Sequence, residues 1–158
     1  MQEKVLIPLD GSKVGEAALP VIEELITRFS PEVKVEVILL GVVASLTHWV
    51  VVGETSAPIS YTEEELKLIK RRIKDYLDKA GETLRSKGAN VTTMVSSGNA
   101  AEEIIKAANE TGADMIAMST HGRSGLSRLA FGSITAKVLR EAAIPVLTVR
   151  AAEGTVNA

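Results

Sequence analysis

The sequence predicts an α/β fold: a Rossmann-like, doubly wound parallel sheet of five strands with helices on both faces. Three observations carry that expectation. Short apolar runs alternate with helical patterns in the order βαβαβαβαβ. The runs are nearly continuous in Val, Ile and Leu, as strands covered on both faces must be. Hydrophobic residues make up 46% of the chain and aromatic residues only 3%, so the core has to be layered from aliphatic side chains rather than from stacked rings.

Val5-Leu6-Ile7-Pro8-Leu9 is the first buried strand, ended by the turn residues Asp10-Gly11-Ser12. Val14, Ala17, Ala18, Val21, Ile22, Leu25, Ile26 and Phe29 then share one face at helical spacing, up to the stop at Ser30-Pro31. Val33 to Leu40 reads as the second strand. The stretch from Ala44 to Tyr61 reads as a long connection holding the single Trp, Trp49. Thr62 and Glu65 form a capping box for a helix with Leu66, Ile69, Ile73, Tyr76, Leu77, Ala80 and Leu84 as its stripe, stopped by Gly88. Val91 to Ser96 alternates with polar residues, as an edge strand does. Asn99 caps a helix through Glu110, closed by Thr111-Gly112. Met115 to Met118 is the fourth strand, Ile134 to Ala143 the last helix and Pro145 to Val149 the last strand.

The length suits one domain over residues 1–150, with residues 151–158 as a frayed tail. The formal net charge is −2 and the basic residues are dispersed, which disfavours nucleic acid as a partner. The chain has no Cys, so disulfides and thiolate metal sites are excluded. No run is long enough for a signal segment or a membrane span, and a cytoplasmic protein is expected.

The chemistry is expected beyond the carboxyl ends of the strands, where the winding reverses. If the first and fourth strands are neighbours, the Asp10-Gly11-Ser12 turn and the Gly-rich connection after Ser119 face one crevice. Gly122, Gly125 and Gly132 permit close backbone approach, and Gly132-Ser133-Ile134-Thr135 opens a helix with free N–H groups and two hydroxyls. Such a connection suits a phosphate, with Arg123 or Arg128 as charge-assisted partners. The competing reading is a turn that only caps a helix through Ser133. Asp10 has two compatible roles. Its carboxylate can shape an Asx turn, and it can accept from an exocyclic amine or a ribose hydroxyl, or hold a metal ion between phosphates. His121 and His48 lack partners at zinc spacing, and His121 reads as a solvated loop residue. Ser124 lacks the glycine of a nucleophile elbow, so no catalytic residue is assigned. Trp49 and Val50-Val51-Val52 read first as a buried flap, with a lid or a contact patch as alternatives.

The stretches "KVLIPLDGS", "VILLGV", "MSTHGRSGLSRLAFGSITAKVLR" and "PVLTVR" together resemble the universal stress protein family, in its single-domain, nucleotide-binding form. The third stretch is the specific one. The family's ATP-binding pattern is Gly, two residues, Gly, nine residues, Gly and Ser or Thr. Gly122, Gly132 and Ser133 match its last positions, and Ser119 stands where the first Gly is usual. The resemblance implies ATP held by Pro8, Leu9, Asp10 and the backbone near Val42 at the adenine. Met118, Ser119, Gly122 and Arg123 would face the ribose and phosphates, and Gly132, Ser133, Ile134 and Thr135 the phosphate chain. It also implies a Mg²⁺ or Mn²⁺ ion with the nucleotide, a homodimer through the last strand, an unidentified protein partner and a regulatory role in stress survival. A slow ATPase or a phosphoryl- or adenylyl-transfer enzyme in the same pocket, and a nucleotide-free dimeric scaffold, are the alternatives. The first is disfavoured because the loop offers no Walker lysine and no evident base.

Overall fold

A computed structural model of the chain describes residues 2–29, 31–121 and 131–152, with only the backbone of Trp49. Its centre is a five-stranded parallel sheet of β1 (Gln2–Pro8), β2 (Lys34–Val43), β5 (Asn90–Ser97), β6 (Met115–Ser119) and β7 (Val146–Val149), in the order β5-β2-β1-β6-β7. The helices are α1 (Ala18–Arg28), α2 (Glu63–Ala80), α3 (Glu82–Ser86), α4 (Ala100–Thr111) and α5 (Ser133–Glu141). The expected doubly wound α/β sheet is therefore present. β5 lies at one edge, as its alternating pattern implied.

Alternation along the strands splits the core between the two faces of the sheet. Val5, Ile7, Val37 and Leu39 belong to one buried cluster with Ile22, Leu77 and Leu84 of the helices on that side. Leu6, Ile38, Leu40 and Ile116 belong to the other, with Ile104, Ala108 and Val138 of α4 and α5. Both faces are buried, which explains why the strands read as unbroken aliphatic runs.

Several helix ends have a local cause. A 3₁₀ turn at Gly15–Ala17 leads into α1, whose Pro20 sits in the first turn, where an N–H has no helical acceptor. Thr62 caps α2 with the reciprocal Glu65 bond, and Asn99 caps α4. Gly112 ends α4 at φ +63, a left-handed position that glycine occupies without strain.

Two expectations are corrected. The helix expected from Thr62 to Leu84 breaks at Gly81 into α2 and α3. A Cβ at Gly81 would lie 2.9 Å from Val91 Cγ1 and 3.2 Å from Leu39 Cδ1, so the chain approaches the sheet too closely for a larger residue. The connection from Ala44 to Tyr61 is not irregular. It holds an antiparallel hairpin of β3 (Thr47–Val52) and β4 (Thr55–Ser60), a separate two-stranded sheet. Three consecutive valines favour a strand, and Gly53 at φ +63 supplies the first residue of a two-residue turn. Val51 and Val52 are 73% and 71% exposed, so the reading of a buried flap is overturned.

Candidate functional site

β1 and β6 are parallel neighbours, Val5 opposite Met115 and Leu6 opposite Ile116. The chain leaves β1 toward β2 on one side and returns to β6 on the other, so the winding reverses between them. The Asp10 turn and the start of the connection after Ser119 thus stand at the carboxyl ends of adjacent strands. The adjacency on which the sequence reading depended is present.

The turn after β1 is held by its own side chains. Asp10 Oδ1 accepts from the Ser12 amide at 2.9 Å and from the Ser12 hydroxyl at 2.5 Å, and Ser12 Oγ accepts from the Gly15 amide at 2.9 Å. Gly11, at φ +82, makes the reversal. Asp10 itself is exposed at the crevice mouth. The Asx role is therefore present. Below it, Tyr76 of α2 donates to Glu16 Oε1 at 2.8 Å, tying α2 to the 3₁₀ turn that precedes α1. Burial raises the Tyr76 phenol above its ordinary range, and the hydrogen bond to Glu16 adds to the shift. Pro8 closes β1, Leu9 is buried and its amide donates to the Leu40 carbonyl at 2.9 Å. Val42, half-buried near the end of β2, completes this side.

On the β6 side, Met118 and Ser119 are buried. Thr135 Oγ1 donates to the Ser119 carbonyl at 3.0 Å, and the Gly132 amide donates to the Thr120 carbonyl at 2.9 Å. The two ends of the connection are thereby pinned together. Gly132 precedes α5 at φ −58 and ψ 155, and among the described residues no side chain caps the helix. No acidic residue stands in its first turn, unlike α2 and α4. Ser133 and Ile134 are exposed at its start, where the first N–H groups form the positive end of the helix. Thr135 is 3% exposed and its proton is committed to Ser119, so in this structure it joins strand to helix.

Gly122, Arg123, Ser124, Gly125 and Arg128 lie outside the described residues. His121 does not read as solvated: it is half-buried, Nδ1 sits 3.0 Å from Thr120 Oγ1, and Nε2 is buried without a hydrogen-bond partner among the described residues. Among the described residues no group of three or more His, Cys, Asp or Glu is arranged to hold a metal ion. No helix among them is long and apolar enough to cross a membrane. A groove of about 740 Å³ runs along α1 past Glu16, Tyr76 and Arg150, but neither Asp10 nor any described residue from Ser119 to Thr135 lines it. Sequence reasoning missed Glu16 and Tyr76, whose partnership spans sixty positions of chain. No local pattern signals it.

Comparison with known proteins agrees with this architecture. The profile of the Universal stress protein family matches residues 1–150. The universal stress protein YxiE of Bacillus subtilis is 29% identical over 150 residues, covering 95% of this chain and 100% of that protein. The universal stress protein MJ0577 of Methanocaldococcus jannaschii is 29% identical over 159 residues, covering 95% of this chain and 96% of its own. The solved structure of MJ0577 superposes with a TM-score of 0.69, covering 96% of this chain and 98% of that one. A universal stress protein family member from Arabidopsis thaliana, solved with AMP bound, shares the fold at 17% identity and a TM-score of 0.61, covering 96% of this chain and 94% of its own.

Proposed function

The chain belongs to the universal stress protein family, and from that premise we propose that it is an ATP-binding regulatory protein rather than an efficient enzyme. The observation that carries the reading is the convergence of two turns at the β1–β6 reversal. One is an exposed carboxylate at Asp10. The other is a helix N-terminus at Gly132-Ser133 with no side-chain cap among the described residues, entered from a strand end that is pinned at Ser119 and Thr120. A carboxylate suits the amine and hydroxyl donors of a nucleoside, and a helix N-terminus suits phosphate oxygens.

In this reading Pro8, Leu9, Asp10 and the Val42 backbone receive the nucleoside. Met118, Ser119, Gly122 and Arg123 follow the ribose and first phosphate. Gly132, Ser133 and Ile134 donate to the phosphate chain, while Thr135 holds Ser119 in place. A Mg²⁺ or Mn²⁺ ion would accompany the phosphates of the nucleotide; among the described residues no group of three or more His, Cys, Asp or Glu is arranged to hold it. Occupancy of the connection after Ser119 changes the surface offered to a protein partner, in a cytoplasmic setting. Residues 1–150 form the functional unit. The sheet edge at β7, Val146 to Val149, pairs with that of a second copy to give a homodimer.

Mass analysis of nucleotide released from the freshly purified, denatured protein tests this reading. Near-stoichiometric ATP supports it. ADP instead of ATP favours a slow ATPase in the same pocket. Nucleotide-free protein that also fails to bind added ATP leaves a dimeric scaffold.

A further inference from the structure

The β3–β4 hairpin stands apart from the five-stranded sheet, and every residue of β4 is exposed. Alone in water a two-stranded ribbon is marginal. This one also presents Val51, Val52, Ile59 and Leu46 to solvent.

Its two edges differ. Val52 and Thr55 flank the two-residue Gly53-Glu54 turn and form a hydrogen-bonded pair. The alternation of an antiparallel ladder then makes Val50–Ala57 and His48–Ile59 hydrogen-bonded pairs as well. The Tyr61 amide donating to the Leu46 carbonyl at 3.0 Å continues the same phase. The intervening residues therefore turn their backbone groups outward: Thr47, Trp49 and Val51 on β3, and Ser56, Pro58 and Ser60 on β4. Ser45 Oγ occupies the Thr47 groups, donating to its carbonyl at 2.8 Å. Pro58 has no N–H, so the middle of the β4 edge lacks its donor and is blunted. The β3 edge keeps both pairs, at Trp49 and Val51.

We propose that the Trp49–Val51 edge of β3 is a self-association surface, pairing antiparallel with the same edge of a second copy about a two-fold axis at Val50. Such an edge is its own complement. The Val51 amide of each copy meets the Trp49 carbonyl of the other, the Trp49 amide meets the Val51 carbonyl, and Val50 faces Val50. Charge permits this occupant. From Ser45 to Tyr61 the only acidic or basic residue besides His48 is Glu54 at the hairpin tip. The antiparallel arrangement sends the two Glu54 tips to opposite ends, so no like charges meet. The pairing joins two hairpins into a four-stranded sheet and is independent of nucleotide and of the β7 edge.

The full chain is tested by light scattering after size exclusion. Val51→Pro places on β3 the lesion that Pro58 places on β4, removing an outward amide and leaving the β3–β4 ladder intact. Val51→Thr keeps that amide. The expected result is that Val51→Pro halves the assembly mass of the wild type and Val51→Thr retains it, whether the β7 edge contributes a further doubling or not. The wild-type chain has no Cys, so a single introduced thiol reads the register directly. Val50→Cys should form an intermolecular disulfide on mild oxidation, because facing residues of a non-hydrogen-bonded pair lie within disulfide reach. Val52→Cys, although more exposed, should crosslink less. Equal masses for wild type and Val51→Pro, or crosslinking through Val52→Cys at least as fast as through Val50→Cys, overturns the proposal.

Discussion

Thr135 gives its hydroxyl proton to the carbonyl oxygen of Ser119 at 3.0 Å, from a side chain that is 3% exposed. The bond spans the connection between β6 and α5. It also satisfies a strand-end carbonyl that α5 would otherwise cover. Thr135→Val keeps the shape and leaves that carbonyl without its donor, which costs about 1–3 kcal/mol. Denaturant unfolding should show that loss, and Thr135→Ser should recover most of it. A Thr135→Val protein as stable as wild type would remove the pin from the account.

Asp10 has a structural job that can be separated from its ligand role. Asp10→Asn retains an oxygen to accept from Ser12, whereas Asp10→Ala loses it, at a cost of about 1 kcal/mol. Asp10→Asn should therefore unfold close to wild type, with Asp10→Ala below it. Calorimetry should find ATP weakened in both. Unchanged ATP affinity in folded Asp10→Ala would leave Asp10 as a turn residue only.

Tyr76 sets a pH dependence. Burial first, and then Glu16 as hydrogen-bond acceptor and negative charge, hold its phenol above the ordinary value of about 10. With the folded-state pKa raised, the unfolded chain releases this proton first. The stability it contributes is complete below about pH 10 and is lost as pH rises above that. Tyr76→Phe removes this titration, so its denaturation midpoint should fall less than that of wild type between about pH 8 and about pH 11. Parallel losses would contradict the burial and the Glu16 bond.

Gly41 of β2 lies directly beneath Ile73 of α2, and a Cβ there would collide with Ile73 Cγ2. Gly41→Ala alone should destabilise by about 1–3 kcal/mol through overpacking, and Ile73→Ala alone by about 2–5 kcal/mol through a cavity. Each change relieves the other, so the double variant should be less damaged than the sum. Strict additivity in urea unfolding would mean that α2 and β2 do not share this contact.

The central sheet was legible because both its faces are buried, so Val5-Leu6-Ile7 and Val37-Ile38-Leu39-Leu40 carry an unbroken aliphatic signal. The caps at Thr62 and Asn99 were legible because they act within four residues. The hairpin was not: Val50-Val51-Val52 resembles a buried strand, and its exposure depends on the ribbon standing off the body. The break at Gly81 was hidden for a similar reason, since it arises from the distant Val91 and Leu39. At the site, Asp10, Ser119, Gly132 and Ser133 could be read from turn and helix-start residues. The Glu16–Tyr76 bond and the buried environment of His121 needed the three-dimensional packing.

The most direct test of the nucleotide reading is a titration of ATP with Mg²⁺ into folded wild type, Ser133→Ala and Gly132→Val. The backbone at Gly132 is open to any residue, at φ −58, and a Cβ there meets Thr120 O at 3.5 Å and His121 Cα at 3.7 Å, both ordinary contacts. Backbone strain, which a positive φ would have added, is therefore absent, and loss of binding in Gly132→Val reports intrusion on ligand space. Ser133→Ala removes one hydroxyl and keeps the amides, a loss of roughly 1.5–3 kcal/mol, or about ten- to a hundred-fold in affinity. The account predicts wild type tightest, Ser133→Ala intermediate and Gly132→Val weakest. Equal affinities across the three would contradict it, because the start of α5 would then not hold the phosphates.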